Sequence, residues 1–253
     1  MNSKLRHLLL IVFSIFPILT WGTESPSTAD SIRISLLTCA PGEEIYSLFG
    51  HTAIRYEEPA RGIDRVYNYG LFSFNTPNFI LRFALGKTDY QLGVEDYRRF
   101  AAEYEYFGRS VWQQTLNLTA EEQRQLITLL EKNYRPENRI YRYNFFYDNC
   151  ATRPRDKIMG ALSGYVRFEN LNDSKTFRQW IGTYVGNDTW LKFGIDLVFG
   201  LDADKVASES ESMFLPEVLM TELQTGQIVE KNNQLRKVVA DKVVLVSKDD
   251  SKD

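Results

Sequence analysis

The residues with the clearest capacity for chemistry in this chain of 253 residues are one cysteine, Cys150, and one histidine, His51. Cysteine attacks as a thiolate, so a nucleophilic cysteine needs a pKa lowered by a helix N-terminus or a cation, and a base to carry its proton. Cys150 follows Asn149, a residue type that favours a helix N-cap, and it precedes a segment that can start a helix. Arg153 and Arg155 add positive charge in the first turns of that segment. This pattern predicts a nucleophilic role for Cys150.

Two predicted strands carry a candidate base and a group that could orient it. His51 lies in FGHTAIRY directly after Gly50, which leaves room beside the imidazole. A third polar group usually fixes the tautomer of a catalytic imidazole. The neighbouring strand, RVYNYGLF, offers Asn68, and strand alternation places Tyr67 and Tyr69 on the opposite face. Asn68 is therefore the candidate that orients His51.

The sequence also leaves other interpretations open and excludes several. In an oxidising compartment Cys39 and Cys150 could form a disulfide, and a single histidine on a strand is often structural. Paired carboxylates for glycoside hydrolysis have no fixed spacing, so that chemistry also stays open. The chain has no HExxH, no other ligand pair at helical spacing and no glycine-rich phosphate loop, so we expect no metal and no cofactor. A net charge of −3 argues against nucleic-acid binding.

The first 22 residues are typical of a secretion signal. A basic head with Lys4 and Arg6 precedes a mostly apolar run over residues 8–21, which is shorter than the roughly 20 apolar residues of a membrane span. Cleavage would also remove His7 and leave His51 as the only histidine. No later stretch is long and apolar enough to span a bilayer. We expect a periplasmic or secreted protein, and an uncleaved N-terminal anchor remains an alternative.

Hydrophobic periodicity predicts a mixture of strands and helices. Strands are expected over residues 32–38, 49–56, 65–72, 88–94, 111–118 and, in an aromatic segment, 140–147. Helices are expected from residue 97 to Gly108, after a capping box of Thr119 and Glu122, and over residues 174–185, 188–199 and 216–223. Residues 228–246 resemble a hairpin. Sequential strands with short loops favour an α+β fold over a doubly wound sheet.

Four segments together resemble one family. They are LLTCAPGEEIYSLFGHTAIRY at 36–56, VYNYGLFSF at 66–74, NFFYDNCATRPRD at 144–156, and WLKFGIDLVFGLDADK with MFLPEVLM within 190–220. The resemblance is to the periplasmic domain of the Lnb-type lipoprotein N-acyltransferases, and it covers residues 32–225. That family is similar in turn to circularly permuted papain-like enzymes of the NlpC and lecithin–retinol acyltransferase type. In those enzymes the histidine strand precedes the cysteine helix, as His51 precedes Cys150 here.

The resemblance implies an α+β, circularly permuted papain-like (NlpC-like) fold with an antiparallel sheet and packed helices. It implies acyl transfer from a lipid or diacylglyceryl ester, through a thioester on Cys150, to an amine such as a lipoprotein N-terminus. The expected partners are a lipid or lipoprotein substrate and the membrane surface. Beside the three candidate catalytic residues, the residues expected to bind substrate or support the site are Tyr46, Ser47, Asn149, Arg153 and Arg155.

These expectations divide the chain into four parts. Residues 1–22 are assigned to a signal peptide, 23–31 to a flexible leader, 32–226 to the catalytic domain, and 227–253 to a C-terminal hairpin and disordered tail. Two rival functions remain open. The same site could use water as acceptor and act as a thiol hydrolase of envelope amide or ester bonds, on peptidoglycan peptides or lipids. Alternatively, the domain could be an inactive binding module closed by a Cys39–Cys150 bridge.

Overall fold

The computed structural model describes residues 31–72, 82, 88–168, 174–186 and 189–247. The predicted signal peptide, nearly all of the predicted leader and the last residues of the predicted tail lie outside the described residues. Among the described residues, no helix combines the length and the apolar character needed to cross a membrane.

A seven-stranded sheet forms the centre of the molecule, and every pairing in it is antiparallel. Its strand order is β10-β5-β1-β2-β3-β4-β6. The strands are β1 (Arg33–Cys39), β2 (His51–Glu58), β3 (Ile63–Leu71), β4 (Asp89–Asp96), β5 (Val111–Leu116), β6 (Ile140–Arg142) and β10 (Val239–Val246). A smaller antiparallel sheet has the order β7-β8-β9 and consists of β7 (Tyr165–Arg167), β8 (Gln227–Val229) and β9 (Leu235–Lys237).

Helices surround the large sheet, which confirms the α+β class. They are α1 (Tyr97–Tyr106), α2 (Ala120–Tyr134), α3 (Thr152–Ala161), α4 (Phe177–Val185), α5 (Trp190–Phe199), α6 (Glu209–Ser212) and α7 (Pro216–Thr225). Short 3₁₀ turns cover Ile45–Ser47, Pro59–Arg61 and Gly200–Asp204. Two of the longest helices begin at side-chain caps, Asp96 for α1 and the Thr119 capping box for α2.

Each face of the sheet has its own core because side chains alternate along the strands. On one face, Leu37, Ala53 and Val66 pack with Phe100 and Tyr104 of α1. The opposite face carries a larger core to which α2, α3 and α7 contribute; it includes Leu36, Ile54, Tyr67, Tyr69, Leu126, Leu130, Ile158, Leu219 and Leu223. The predicted separation of Asn68 from Tyr67 and Tyr69 is therefore confirmed.

A third, aromatic cluster lies under α4 and α5. Phe146, Phe177 and Trp180 belong to it, together with Phe214. Phe146 comes from the segment that leads into Cys150, so this cluster supports the approach to the candidate nucleophile.

The predicted strands over residues 32–118 and the predicted helices agree with the structure to within about three residues at their ends. The strand predicted over residues 140–147 is wrong beyond Arg142. Asn144 turns the chain there, because its Oδ1 accepts the N–H of Phe146 at 3.0 Å and of Tyr147 at 3.1 Å. The short elements β7 and α6 were not predicted.

The C-terminal hairpin is confirmed for β8 and β9, which pair across a turn at Asn233 with a φ of 64°. The chain then leaves the hairpin. Strand β10 pairs with β5 and forms an edge of the large sheet. The last described strand is thus part of the main fold.

Candidate functional site

His51 and Asn68 form a direct hydrogen bond, with 2.8 Å between His51 Nε2 and Asn68 Oδ1. The same oxygen accepts the backbone N–H of Gly70 at 2.8 Å. Since a backbone N–H can only donate, the Asn68 atom between these groups is the acceptor oxygen. The hydrogen of the neutral imidazole therefore lies on Nε2, and the lone pair of Nδ1 is free to accept a proton.

Strand register explains this arrangement. Ala53 in β2 is opposite Asn68 in β3, so His51, two residues earlier in β2, comes opposite Gly70. The pair is close because Gly70 has no side chain: a Cβ there would lie 2.4 Å from His51 Cε1. Gly50 turns the chain into β2 with a φ of 77°. A Cβ at Gly50 would lie 2.6 Å from the carbonyl oxygen of Cys39.

Asn149 holds the backbone around Cys150. Its Oδ1 accepts the N–H of Ala151 at 2.7 Å and of Thr152 at 2.9 Å, which caps the start of α3. Its Nδ2 donates to the carbonyl oxygen of Phe145 at 2.6 Å and of Phe214 at 2.9 Å. Asn149 is buried, so these bonds replace water completely. Its observed contacts are with the protein backbone, and they fix Cys150 at the beginning of α3.

The sulfur of Cys150 lies close to β2, near enough to the backbone N–H of Thr52 for that N–H to favour the thiolate. Thr52 directly follows His51 in the chain, so this contact ties the cysteine to the histidine strand. Burial raises the pKa of the Cys150 thiol to about 11, although the N–H groups of Thr52 and of Cys150 itself favour the thiolate. The sequence pattern instead favoured a lowered pKa.

Burial also lowers the pKa of His51 to about 4. The hydrogen bond that His51 donates to Asn68 opposes this shift, and the positive charge of Arg109 adds to it. The side chains of Cys150 and His51 are partly open to a cavity but are otherwise surrounded by protein. At neutral pH the resting site therefore holds a thiol and a neutral imidazole.

A cavity of about 330 Å³ contains both Cys150 and His51 in its lining. Asn68, Tyr46 and Ser47 also line it. The other lining residues combine aromatic and aliphatic side chains with two arginines and two glutamates: Ile45, Phe49, Gly50, Gly70, Leu71, Phe72, Tyr90, Glu95, Arg99, Glu103, Tyr104, Arg109, Tyr143, Phe145, Asn149, Phe214 and Pro216. The site therefore offers apolar surface and charge beside the sulfur.

Tyr46 and Ser47 reach this cavity from the 3₁₀ turn before β2. The Tyr46 ring meets Phe72 edge to face, with 5.7 Å between centroids. The Ser47 hydroxyl donates to the carbonyl oxygen of Glu44 at 2.9 Å. Tyr46 is about half exposed and Ser47 is buried, so Tyr46 is the more accessible of the two to a bound molecule.

Arg153 and Arg155 are not among the described residues that line the cavity. The Arg153 guanidinium makes a bidentate pair with Asp148, at 2.5 and 2.8 Å, and lies over the Tyr141 ring. Arg155 pairs with Asp156 at 2.8 Å. The positive charges of Arg153 and Arg155, both in α3, are thus paired with carboxylates. The structure does not bring these two predicted site residues to the cavity.

Three residues that shape the site were not identified from residue types and spacing. Glu95 accepts a hydrogen bond from Asn68 Nδ2, with 3.3 Å between Oε1 and Nδ2. Arg109 supplies a cation at the cavity and is held by the carbonyl oxygen of Ala40 at 2.6 and 2.9 Å. Gly70 was visible only as a glycine two residues after Asn68. The roles of Glu95 and Arg109 follow from strand pairing and helix packing, which spacing alone does not reveal.

Both cysteines are free thiols in the structure. Cys39 is fully buried beneath α1, and burial raises its pKa to about 12 despite a hydrogen bond with Tyr104. The structure therefore contains no Cys39–Cys150 bridge of the kind that the binding-module alternative requires. Within the described part of the chain, no group of three or more His, Cys, Asp or Glu could hold a metal ion.

A family profile described as the Lnb N-terminal periplasmic domain matches residues 20–181, which is more than half of the chain. The chain belongs to the Lnb N-terminal periplasmic domain family. The matched part of this Lnb domain includes Cys150, His51 and Asn68. The family resemblance is confirmed, and the match supports a periplasmic, Lnb-like protein of the cell envelope. No curated protein and no solved structure matches the chain.

Proposed function

We propose that this Lnb-family protein is a cysteine acyltransferase of the cell envelope. The observation that carries the proposal is the joint position of Cys150 and His51 in one cavity, with the free Nδ1 of His51 defined by the Asn68 bond. A nucleophile, a base and a group that orients the base are the parts that thioester chemistry needs.

In the first half-reaction, His51 Nδ1 accepts the proton of the Cys150 thiol as the sulfur attacks the carbonyl carbon of a lipid ester. The backbone N–H of Cys150 is the proposed donor to the oxyanion. When the carbon–oxygen bond of the ester breaks, the imidazolium gives its proton to the departing alcohol oxygen. The products are an alcohol and a thioester on Cys150.

In the second half-reaction, an amine attacks the thioester carbonyl, and His51 accepts a proton from the nitrogen. The carbon–sulfur bond breaks, the thiol is restored with that proton, and an amide is released. The proposed acceptor is the N-terminal amine of a lipoprotein, as the family resemblance implies. Water at the same position would give a free acid, which is the hydrolase alternative.

We also propose that the fold is the circularly permuted papain-like fold. Three features support this proposal: an antiparallel sheet, a cysteine at the start of α3 packed against it, and a histidine strand that precedes the cysteine helix in the chain. The order His51, Asn68, Cys150 along the sequence is the permuted one.

The test is incubation of the full chain with phospholipid vesicles and a diacylated lipopeptide, followed by intact-mass analysis. We expect an acyl adduct on Cys150 and an N-acylated lipopeptide. Cys150→Ala should lose both products by many orders of magnitude, because it removes the nucleophile. Cys39→Ala is the matched control and should keep activity within about tenfold. Full activity in Cys150→Ala would refute the nucleophile assignment.

The same assay tests Asn68 and the acceptor. Asn68→Ala should lower turnover roughly ten- to a thousandfold with little effect on substrate affinity, because the imidazole loses its fixed tautomer. An unchanged turnover would remove Asn68 from the mechanism. Release of free fatty acid or cleavage of an added peptidoglycan peptide, without N-acylated product, would identify a hydrolase instead.

A further inference from the structure

Helix α5 has the reverse of the polarity expected for a helix on a protein surface in water. Trp190 is 89% exposed, Phe193 62% and Leu197 74%, and Leu201 in the following 3₁₀ turn is 86% exposed. The spacing of three and four residues aligns Trp190, Phe193 and Leu197 along one side of α5, and Leu201 follows in the 3₁₀ turn Gly200–Asp204. We call these four residues the α5 apolar surface. Contiguous apolar surface of this kind usually marks a place that something else covers.

The charged residues of α5 lie on its other side. Lys192 is buried, and its Nζ lies 2.5 Å from Asp196 Oδ2. Asp196 Oδ1 lies 2.7 Å from Nη1 of Arg178 in α4. Lys192 and Asp196 are the only charged residues in α5, so the helix brings no charge of its own to the α5 apolar surface. An ordinary surface helix has its charges outside and its apolar side chains inside.

The inner side of α5 connects it to the candidate site. Phe199, its last residue, stacks on Phe145 with 4.9 Å between centroids and 20° between ring planes. Phe145 lines the cavity that contains Cys150. Ile195 packs against the aromatic cluster beneath α4. The α5 apolar surface is therefore carried by a helix that packs directly against a residue of the cavity.

We propose that the α5 apolar surface docks the protein on a phospholipid bilayer. This inference rests on the proposed function, because an enzyme that takes acyl chains from membrane lipid must meet that lipid close to its nucleophile. The high exposure of the four side chains shows that they project outwards, which suits insertion between headgroups better than the seating of a peptide in a groove. Trp prefers the membrane–water interface, and Phe and Leu partition into the acyl boundary beneath it.

The first test uses vesicles of phosphatidylethanolamine and phosphatidylglycerol with brominated acyl chains, which quench tryptophan on contact. The full chain carries Cys150→Ala, so that binding is measured without turnover. We expect the vesicles to quench the tryptophan fluorescence of the parent protein. Trp190→Phe should abolish most of this quenching, whereas Trp112→Phe should leave it intact. Equal quenching in the parent protein and in Trp190→Phe would overturn the proposal, whether or not the N-terminal segment also binds lipid.

The second test compares vesicle flotation of two double variants. Leu197→Ser with Leu201→Ser should lower the bound fraction at least about tenfold, since two large apolar side chains no longer leave water. Leu235→Ser with Val244→Ser removes two exposed apolar side chains of β9 and β10, and it should bind like the parent. Equal loss of vesicle binding in both double variants would overturn lipid docking. A protein dimer that the α5 double variant dissociates, while its vesicle binding stays unchanged, would overturn lipid docking as well.

A third measurement separates this inference from the proposed function. With Cys150 restored, the α5 double variant should keep thioester formation from a soluble short-chain ester and lose it from vesicle lipid. Equal loss on both donors would refute a docking role. A protein that binds vesicles through α5 but forms no thioester with either donor would instead refute the proposed function and leave docking in place.

Discussion

At the scale of single residues, desolvation sets the protonation state of the candidate site. Burial raises the pKa of Cys150 to about 11 and lowers the pKa of His51 to about 4. The proton therefore stays on sulfur throughout the neutral range, and its transfer to Nδ1 of His51 must accompany attack on the substrate. A resting thiolate–imidazolium pair would need these two pKa values in the opposite order.

The pH dependence of two reactions follows from this order. Alkylation of Cys150 by iodoacetamide, measured in a Cys39→Ala background, should accelerate about tenfold per pH unit towards pH 11, because only the thiolate reacts. Thioester formation on Cys150 should persist well below pH 6.5 and fall only near pH 4, where His51 becomes protonated and can no longer accept a proton. An alkylation rate that is flat from pH 5 upwards would show a resting thiolate and contradict this interpretation.

A substitution at Gly70 tests the position of the His51 imidazole without removing any functional group from the site. Gly70→Ala would put a methyl group 2.4 Å from His51 Cε1, so the ring must move away from Asn68. We expect turnover to fall about a hundredfold, measured as the rate of thioester formation, since displacements of about 1 Å have that effect. Gly160→Ala in α3, where the added Cβ meets Leu129 at an ordinary 3.7 Å, should leave turnover unchanged. Normal turnover in Gly70→Ala would mean that the observed ring position is not the active one.

At the scale of elements, the start of α3 depends on one buried amide. Asn149→Ala removes the two hydrogen bonds that cap α3. It also removes the two bonds that Asn149 Nδ2 donates to the carbonyl oxygens of Phe145 and Phe214. It should lower the free energy of unfolding by about 2–4 kcal/mol, as measured by urea denaturation. Thr176→Ala removes a more accessible cap on α4 and should cost about 1 kcal/mol.

The conservative variant separates the two functions of this amide. Asn149→Asp keeps an oxygen that can cap α3 but loses the donors to Phe145 and Phe214. Because a carboxylate oxygen would then face these two carbonyl oxygens in a buried position, Asn149→Asp should be at least as unstable as Asn149→Ala. An Asn149→Ala protein as stable as the Thr176→Ala control would contradict the structural role assigned to Asn149.

The elements also show how far the sequence could lead. Strands β1 to β5 were predictable because their apolar and β-branched residues alternate, and α2 because its capping box is explicit. The turn at Asn144 was missed because the aromatic run that follows it has the composition of a strand. Asn68 was predictable as a polar residue on the strand after His51, since alternation fixes its face.

Other parts of the site depend on contacts that spacing does not encode. Arg153 and Arg155 were expected to act on Cys150, but nearby Asp148 and Asp156 pair with them instead. The cations that line the cavity are Arg99 and Arg109, which lie about forty to fifty residues earlier in the chain. The pKa values were misjudged for a related reason, because a helix N-terminus can be read from the sequence whereas the degree of burial cannot.

At the scale of the whole molecule, the described residues that follow the family match are part of the same fold. The match ends at residue 181, yet β10 pairs with β5 in the large sheet and Val238 and Val239 belong to its core. The hairpin of β8 and β9 is joined to the matched region by an ion pair between Arg236 and Glu122. We therefore expect the described residues to unfold together.

Glu122 is the centre of that connection. It is 1% exposed, and Arg236 Nη2 lies 2.9 and 2.8 Å from its two carboxylate oxygens. Ser163, after α3, donates its N–H at 3.0 Å and its hydroxyl at 2.9 Å to the same carboxylate. Burial alone would raise the pKa of Glu122, but these donors, the N–H of Thr119 and the Arg236 charge hold it below the ordinary value. The carboxylate thus joins α2, the end of α3 and β9.

Glu122→Gln should therefore destabilise the whole described fold by about 3 kcal/mol at neutral pH, because it leaves Arg236 without its buried partner. Glu121→Gln, one residue earlier and 77% exposed, should cost less than about 1 kcal/mol.

The lowered pKa of Glu122 predicts a pH dependence of the free energy of unfolding as well. A carboxylate with a depressed pKa in the folded state stabilises the protein above the unfolded value of about 4.5, and this stabilisation is lost as the pH falls through the folded value. The parent should lose more stability than Glu122→Gln when urea denaturation is repeated below pH 4.5, so that the difference between them narrows on acidification. A constant difference from pH 7 to pH 3 would show that the Glu122 charge is not what joins the C-terminal strands to the rest of the molecule.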